Sequence, residues 1–208
     1  MDPRAAPHFG KYPEKPRLCT QSPSRASAGE ARNQDRSPLF CHDGTERPIQ
    51  RPKDPEKQRS YYSGKKKHHT MKNVILINEF MYILFLSLTH PGSVHDKTIA
   101  DSSSYPLPKE SYLMQDLGFQ GFDLPGVEII MPHKKPPGGS LTPEQKEANR
   151  EVSKVRVRIE HVMNSIKHCH IVRDTTRLLR QGTRDLVMEI CCALHNLRVT
   201  LNPWGSMV

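Results

Sequence analysis

Three acidic residues stand where the chain could gather them into a site. Asp43 follows the short apolar run Leu39, Phe40, Cys41 and precedes Gly44. Asp116 closes an apolar segment at residues 112–115, with Gly118 and Gly121 behind it. Glu160 falls one position past Ile159 on a segment of helical periodicity, in line with Arg156, Met163 and Lys167. At ~100° per residue it borders the apolar stripe of that helix. Two strand-end carboxylates and one on a helix border can converge at the edge of a sheet. Such a set suits Mg²⁺, a hard ion that takes oxygen ligands and keeps waters for substrate phosphates. The same residues also have plainer uses, since Asp-Gly is a common turn pair and a helical Glu is usually solvated. Spacing alone does not choose between them.

The elements that must position these acids can be read from pattern. Residues 74–77 and 80–88 form two short runs rich in Val, Ile, Leu, Phe and Tyr, expected as strands joined near Asn78 and Glu79. Unbroken apolar runs of this kind fit the centre of a helix-covered sheet. Residues 39–41 read as the end of a strand, and residues 112–115 and 127–131 as two further strands. Three prolines between positions 48 and 55 argue for an extended, charged connection without helix. After Pro91 and Gly92, Ser93 is placed to cap a helix, with Asp96 three positions later.

The clearest helix begins at Thr142, with Pro143 at its first position and Gln145 completing a capping box. Ala148, Val152, Val155, Ile159, Val162 and Ile166 then recur at alternating steps of four and three. A last helix is expected over residues 184–199, with Leu186, Val187, Ile190, Cys191, Leu194 and Leu197 on its buried side. The order of elements predicts an α/β domain, a mixed sheet covered by helices.

Composition bounds the rest. Hydrophobic residues make up 35% of the 208, and nine of the 18 prolines precede residue 61. Residues 1–37 therefore read as a disordered Pro/Ser/Arg-rich leader, residues 38–201 as the folded domain and residues 202–208 as a tail. No secretory signal and no stretch of ~20 apolar residues is present, so no membrane association is expected. Five scattered cysteines without a C-x-x-C pair argue against a disulfide framework or a structural zinc site.

The net charge is +9, which favours a polyanionic partner. Nine Lys and Arg against three acids lie between Arg150 and Arg184. Lys65, Lys66 and Lys67 form one basic loop, and Lys134 and Lys135 another. With Arg156 and Arg158 these are the candidate phosphate contacts, although any single surface Lys is by default a solvated one. Tyr61, Tyr62 and Trp204 could stack on bases or simply pack.

Six blocks then carry a resemblance. Residues 43–52 (DGTERPIQRP), 61–73 (YYSGKKKHHTMKN), 91–96 (PGSVHD), 116–121 (DLGFQG), 133–145 (HKKPPGGSLTPEQ) and 156–161 (RVRIEH) stand in the order found in DDE transposases of bacterial insertion sequences. In this resemblance the Harbinger-like group and its endonuclease domain are close relatives. The resemblance implies an RNase H-like core with Asp43, Asp116 and Glu160 as catalytic and metal-holding triad. It also implies two Mg²⁺ ions, replaceable by Mn²⁺, that serve DNA strand cleavage and strand transfer.

Asp96, in the His95-Asp96 block, is the rival for the second position; Asp116 is preferred because it ends a strand and is followed by glycines. His95 could orient a phosphate or a water. Double-stranded DNA, both transposon ends and target, is the implied partner, with the protein in the bacterial cytoplasm at the nucleoid and a homo-oligomer left open. Family members usually carry a helix-turn-helix region ahead of the core. Residues 1–37 do not supply one, so the sequence reads as a possible truncated remnant whose short first strand would hold Asp43 loosely. The competing reading is a catalytically decayed, basic DNA-binding protein.

Overall fold

The computed structural model describes residues 37–105, 107–178 and 180–205, the side chain of Gln181 excepted. The expected leader, apart from Ser37, and the last three residues of the expected tail lie outside the described residues.

Strand β1, Leu39–Pro48, opens the fold and is followed by helix α1, Pro55–Tyr61. The short β2, Tyr62–Ser63, turns through the lysine loop into β3, His68–Asn78, the longest strand. Next come β4, Ile83–Leu86, and β5, His90–Pro91, then helix α2, Asp96–Asp101. Strand β6, Ser111–Met114, ends in a 3-10 turn at Leu117–Phe119, and β7, Val127–Ile130, follows. Helices α3, Pro143–Lys167, α4, His170–Arg173, and α5, Gln181–Leu201, complete the chain.

The strands form one mixed sheet with the path β2-β3-β1-β6-β7, while β4 and β5 also pair with β3. β1 runs antiparallel to β3 and parallel to β6, and β6 runs parallel to β7. β3 is buried from Thr70 through Ile77, and its alternating side chains feed two cores. Ile75 and Ile77 point with Cys41 and Met114 into a layer of Ile159, Val162 and Ile166 from α3 and Met188, Cys191 and Cys192 from α5. Val74 and Leu76 point the other way, to Phe40, Phe85, Ile99, Leu113 and Phe119. A mixed sheet with helices over it is the RNase H-like arrangement, as expected.

Several elements differ from the sequence reading. The prolines do not exclude helix, because Pro55 sits at the first position of α1 and Asp54 caps it, accepting from Lys57 N at 2.9 Å. Ser93 does not cap α2; the cap position is His95, without a side-chain bond, and Asp96 is already in the helix. β1 is not a short remnant of a strand but ten residues long, and Asp43 lies at its middle, opposite Ile75 of β3. In α5 the expected buried side is partly wrong: Leu186, Ile190, Leu194 and Leu197 are exposed, whereas Asp185, Met188, Cys192, His195 and Val199 are buried.

The reason for that inversion lies in β4. As an edge strand it presents backbone groups that need partners. Asn196 of α5 accepts from Ile83 N and donates to Ile83 O, both at 2.9 Å, and Asp185 accepts from Thr89 N at 2.8 Å. Asp185 also faces the buried Arg47, whose guanidinium donates to Asn73, Thr89 and the carbonyl of Arg184. α5 is thus docked by polar side chains as well as apolar ones.

Candidate active site

Asp43 and Asp116 sit at equivalent points of two adjacent parallel strands. The β1–β6 register pairs Leu39 with Tyr112, Phe40 with Leu113 and Cys41 with Met114. One step further, His42 Nε2 meets Gln115 Oε1 at 2.8 Å. The same offset brings Asp43 beside Asp116, where β6 peels away from β1 into its 3-10 turn. Each acid is fixed by backbone next to it: Gly44 N donates to Asp43 Oδ1 at 2.7 Å, and Leu117 N to Asp116 Oδ1 at 2.6 Å.

Helix α3 supplies the opposite charge. Arg156 Nη2 stands 3.2 Å from Asp116 Oδ2 and also acts on Asp43. Lys167, three turns further along α3, lies close enough to Asp43 and Glu46 to be favoured by both, against burial and the nearby Lys66. Between them on the same stripe is Glu160, exposed and without a hydrogen bond or ion pair among the described residues. The capping box at Thr142 is formed in both directions and begins the helix that carries all three.

Asp96 approaches from the other face of the sheet. Its Oδ1 lies 3.1 Å from Lys72 Nζ, and the same ammonium stands 3.8 Å from Glu46. A Cβ on Gly44 would fall 2.6 Å from Asp96 Oδ1, and one on Gly118 would fall 3.1 Å from Asp96 Oδ2. The carboxylate of Asp96 is therefore wedged between two glycines that follow Asp43 and Asp116. Its capping-box role gives way to an ion pair that locks α2 to β3. His95 beside it is exposed.

The electrostatic outcome is concentrated on Asp43. Burial pushes its carboxyl up to about 6, while the Gly44 amide and Arg156 oppose the rise and Asp116 and Asp96 add to it. An acid so crowded takes up a proton or a cation readily. The donors are hard carboxylate oxygens, so Asp43 and Asp116 fit a divalent ion of the Mg²⁺ type. Among the described residues no three His, Cys, Asp or Glu side chains already stand as a metal-holding group. Arg156 supplies the positive charge at Asp116.

Around the acids, Lys65, Lys66 and Lys67 are exposed in the β2–β3 turn, and Lys66 reaches the neighbourhood of Lys167. Lys134 and Lys135 are exposed in the loop after β7. That loop is tied to α3 through His133 and Asn149, whose paired hydrogen bonds measure 2.6 and 3.0 Å. Arg158 is half-buried on α3, and Arg156 is engaged with Asp116. Of the aromatic candidates, Trp204 packs edge-on against His195 and Tyr61 lies under Arg184, while Tyr62 is exposed.

Sequence reasoning did not pick out the His42–Gln115 pair. Burial holds His42 down to about 4, hence neutral, and it stacks on Phe119 at 3.9 Å. The pair bridges β1 and β6 immediately before the two acids. The signal was available: His-Asp and Gln-Asp end the two apolar runs at one common offset.

Residues 42–196 match the family described as DDE superfamily endonuclease. The chain belongs to that family. It is 33% identical over 163 residues to a probable transposase for insertion sequence element IS702 of Microchaete diplosiphon, covering 78% of this chain and 58% of the relative. It is 35% identical over 77 residues to a putative transposase for insertion sequence element IS112 of Streptomyces albus G, covering 36% of this chain and 29% of that relative. The chain thus spans about 58% of the length of the first relative and less than a third of the second. No solved structure matches. Among the described residues, no helix is long and apolar enough to cross a membrane.

Proposed function

We propose that this chain is the catalytic core of an insertion-sequence transposase, cutting and joining DNA strands at the cleft between β1 and β6. The observation that carries the reading is the side-by-side setting of Asp43 and Asp116 at the point where parallel strands separate, with Arg156 delivered from α3. Asp43, Asp116 and Glu160 would hold two Mg²⁺ or Mn²⁺ ions. Such ions supply activation of the attacking oxygen and stabilisation of the leaving one.

The protein's own residues do the rest. Asp43, ionised above pH ~6 and held by the Gly44 amide, provides negative charge that is costly unless countered. Asp116 is kept in one orientation by Leu117 N and Arg156. Lys65, Lys66, Lys67, Lys134 and Lys135 neutralise phosphates on either side of the cleft, and Arg158 adds a contact from α3. His95, exposed beside Asp96, would add a phosphate contact. In cleavage, water adds to phosphorus and the P–O bond to the 3′ oxygen breaks, leaving a free 3′-hydroxyl. In joining, that hydroxyl is the attacking group and a target 3′ oxygen leaves. Charge on the phosphate develops in both steps and is met by fixed cations, the general source of catalysis in phosphoryl transfer.

The test is nicking of supercoiled plasmid by the purified chain with Mg²⁺ or Mn²⁺, beside Asp116→Asn and Glu160→Gln. Nicking by the parent chain and a loss of about a thousandfold or more in either variant are expected. Retained nicking by a variant removes that residue from the triad. Duplex binding without nicking by the parent chain would instead identify a decayed core that only holds DNA.

A further inference from the structure

Helix α5 turns an aliphatic face to solvent. Leu186, Ile190, Leu194, Leu197 and Leu201 are between 48% and 76% exposed, and Ala193 among them is exposed too. At 100° per residue these six fall within a sector of about 100°, opposite the side that packs on the sheet. No charged residue falls in that sector. Outward helix faces in a chain of net charge +9 are ordinarily where the charges go, and α3 obeys that rule.

The order of the six residues identifies what fits them. From Leu186 the steps are four, three, one, three and four, so the pattern reads the same from either end. A two-fold axis between Ala193 and Leu194 would bring Leu186 against Leu201 of the partner subunit. It would bring Ile190 against Leu197 of the partner subunit, with Ala193 and Leu194 at the crossing. Self-complementarity about a two-fold is what an isologous dimer requires, and an unrelated partner would not need it. The small Ala193 at the axis lets two helices approach closely.

The exposed aliphatic surface is on the order of 500 Å² per copy, so a pair would bury about 1,000 Å², the lower bound for a specific interface. We infer that the outward face of α5 is a homodimer interface in which two α5 helices pack antiparallel. This inference does not depend on the proposed activity.

Sedimentation equilibrium of the full chain from about 1 to 200 µM should show a monomer–dimer equilibrium insensitive to salt, because apolar contacts carry it. Leu194→Glu should weaken the dimer about a hundredfold or more, with an unchanged melting temperature for the monomer. A mixture of Leu186→Cys and Leu201→Cys chains, oxidised beside the parent chain, should give more mixed disulfide than either variant gives alone. That readout reports the antiparallel register without relying on a charge substitution. A monomer at every concentration, a dimer indifferent to Leu194→Glu, or cross-linking without preference for the mixed pair would overturn the inference. A monomer that Leu194→Glu destabilises would also overturn it, assigning the face to a segment of the same chain.

Discussion

α3 and α5 are both long amphipathic helices on the same side of the sheet, yet their polar and apolar sides do different work. α3 buries Ile159, Val162 and Ile166, and its flank carries Arg156, Glu160 and Lys167 toward the acidic cleft. α5 buries Asp185 and His195 along with Met188, Cys192 and Val199, and leaves five large aliphatic side chains outside. Amphipathicity therefore identifies a helix without saying which side faces in. On α3 the buried side is the apolar one, as the hydrophobic effect alone would set it. On α5 it is joined by the need of the β4 edge for hydrogen-bond partners, which only polar side chains meet.

The largest effect that would break this contrast is expected at neighbouring positions of α5. Asp185→Leu removes the acceptor of Thr89 N and the negative charge facing the buried Arg47. Loss of one partner from such a buried set costs about 3–5 kcal/mol. Leu186→Gln, one residue on but on the outward side, should change the stability of the monomer by less than about 0.5 kcal/mol. Denaturant unfolding at low protein concentration checks both. Comparable losses at the two positions would mean that the apolar side is the packed one.

On the α3 side, the corresponding test is the charge that the helix serves. Asp43 has its folded pKa raised to about 6, above its unfolded value near 3.8. The folded chain therefore holds that proton more tightly than the unfolded chain between those values. As pH rises from about 4 to 6 this group withdraws stability, and above 6 the whole penalty is present. Asp43→Asn should stabilise the metal-free chain at pH 7 by about 1–3 kcal/mol and flatten the stability profile between pH 4 and 6. Under the proposed function the parent chain's Mn²⁺ affinity should also fall as pH drops below about 6, because metal and proton compete for one carboxylate. Calorimetric titration at two pH values reads this directly. A parent profile indistinguishable from that of Asp43→Asn would mean that the cleft carries no such strain.

What the sequence made legible follows the range of the interactions involved. Thr142, Pro143 and Gln145 interact within one turn, so the start of α3 was readable to the residue. The strand-end setting of Asp116 was readable from an apolar run and glycines, whereas Asp43 proved to lie inside β1; the adjacency of the two depends on the parallel register of β1 with β6, which joins residues 73 positions apart. The inward side of α5 was misread because its partners are remote: Thr89 to Asp185 spans 96 positions and Ile83 to Asn196 spans 113. Asp54 and Pro55 were a local signal that three prolines in close succession obscured. The wedge of Asp96 between Gly44 and Gly118 had no sequence signature, since it needs α2 docked on the sheet.

The smallest expected effects concern how the two helices begin. Thr142 accepts from Gln145 N at 3.2 Å while the Gln145 side chain returns a bond to Thr142 N at 3.1 Å. Thr142→Ala should therefore cost about 1 kcal/mol. α5 starts at Arg180, in extended conformation, with no side-chain cap and no acid in its first turn. Its first amides lack the oxygen that α3 enjoys, and the arginine places a positive charge at the positive end of the helix dipole. Arg180→Asp should thus add about 0.5–1 kcal/mol, opposite in sign to Thr142→Ala, and Arg180→Ala should be close to neutral. Thermal unfolding of the three variants separates the cases. A loss on Arg180→Asp would show that Arg180 has a partner worth more than a cap, and that α5 is anchored at its start by charge and not by its inward polar side chains alone.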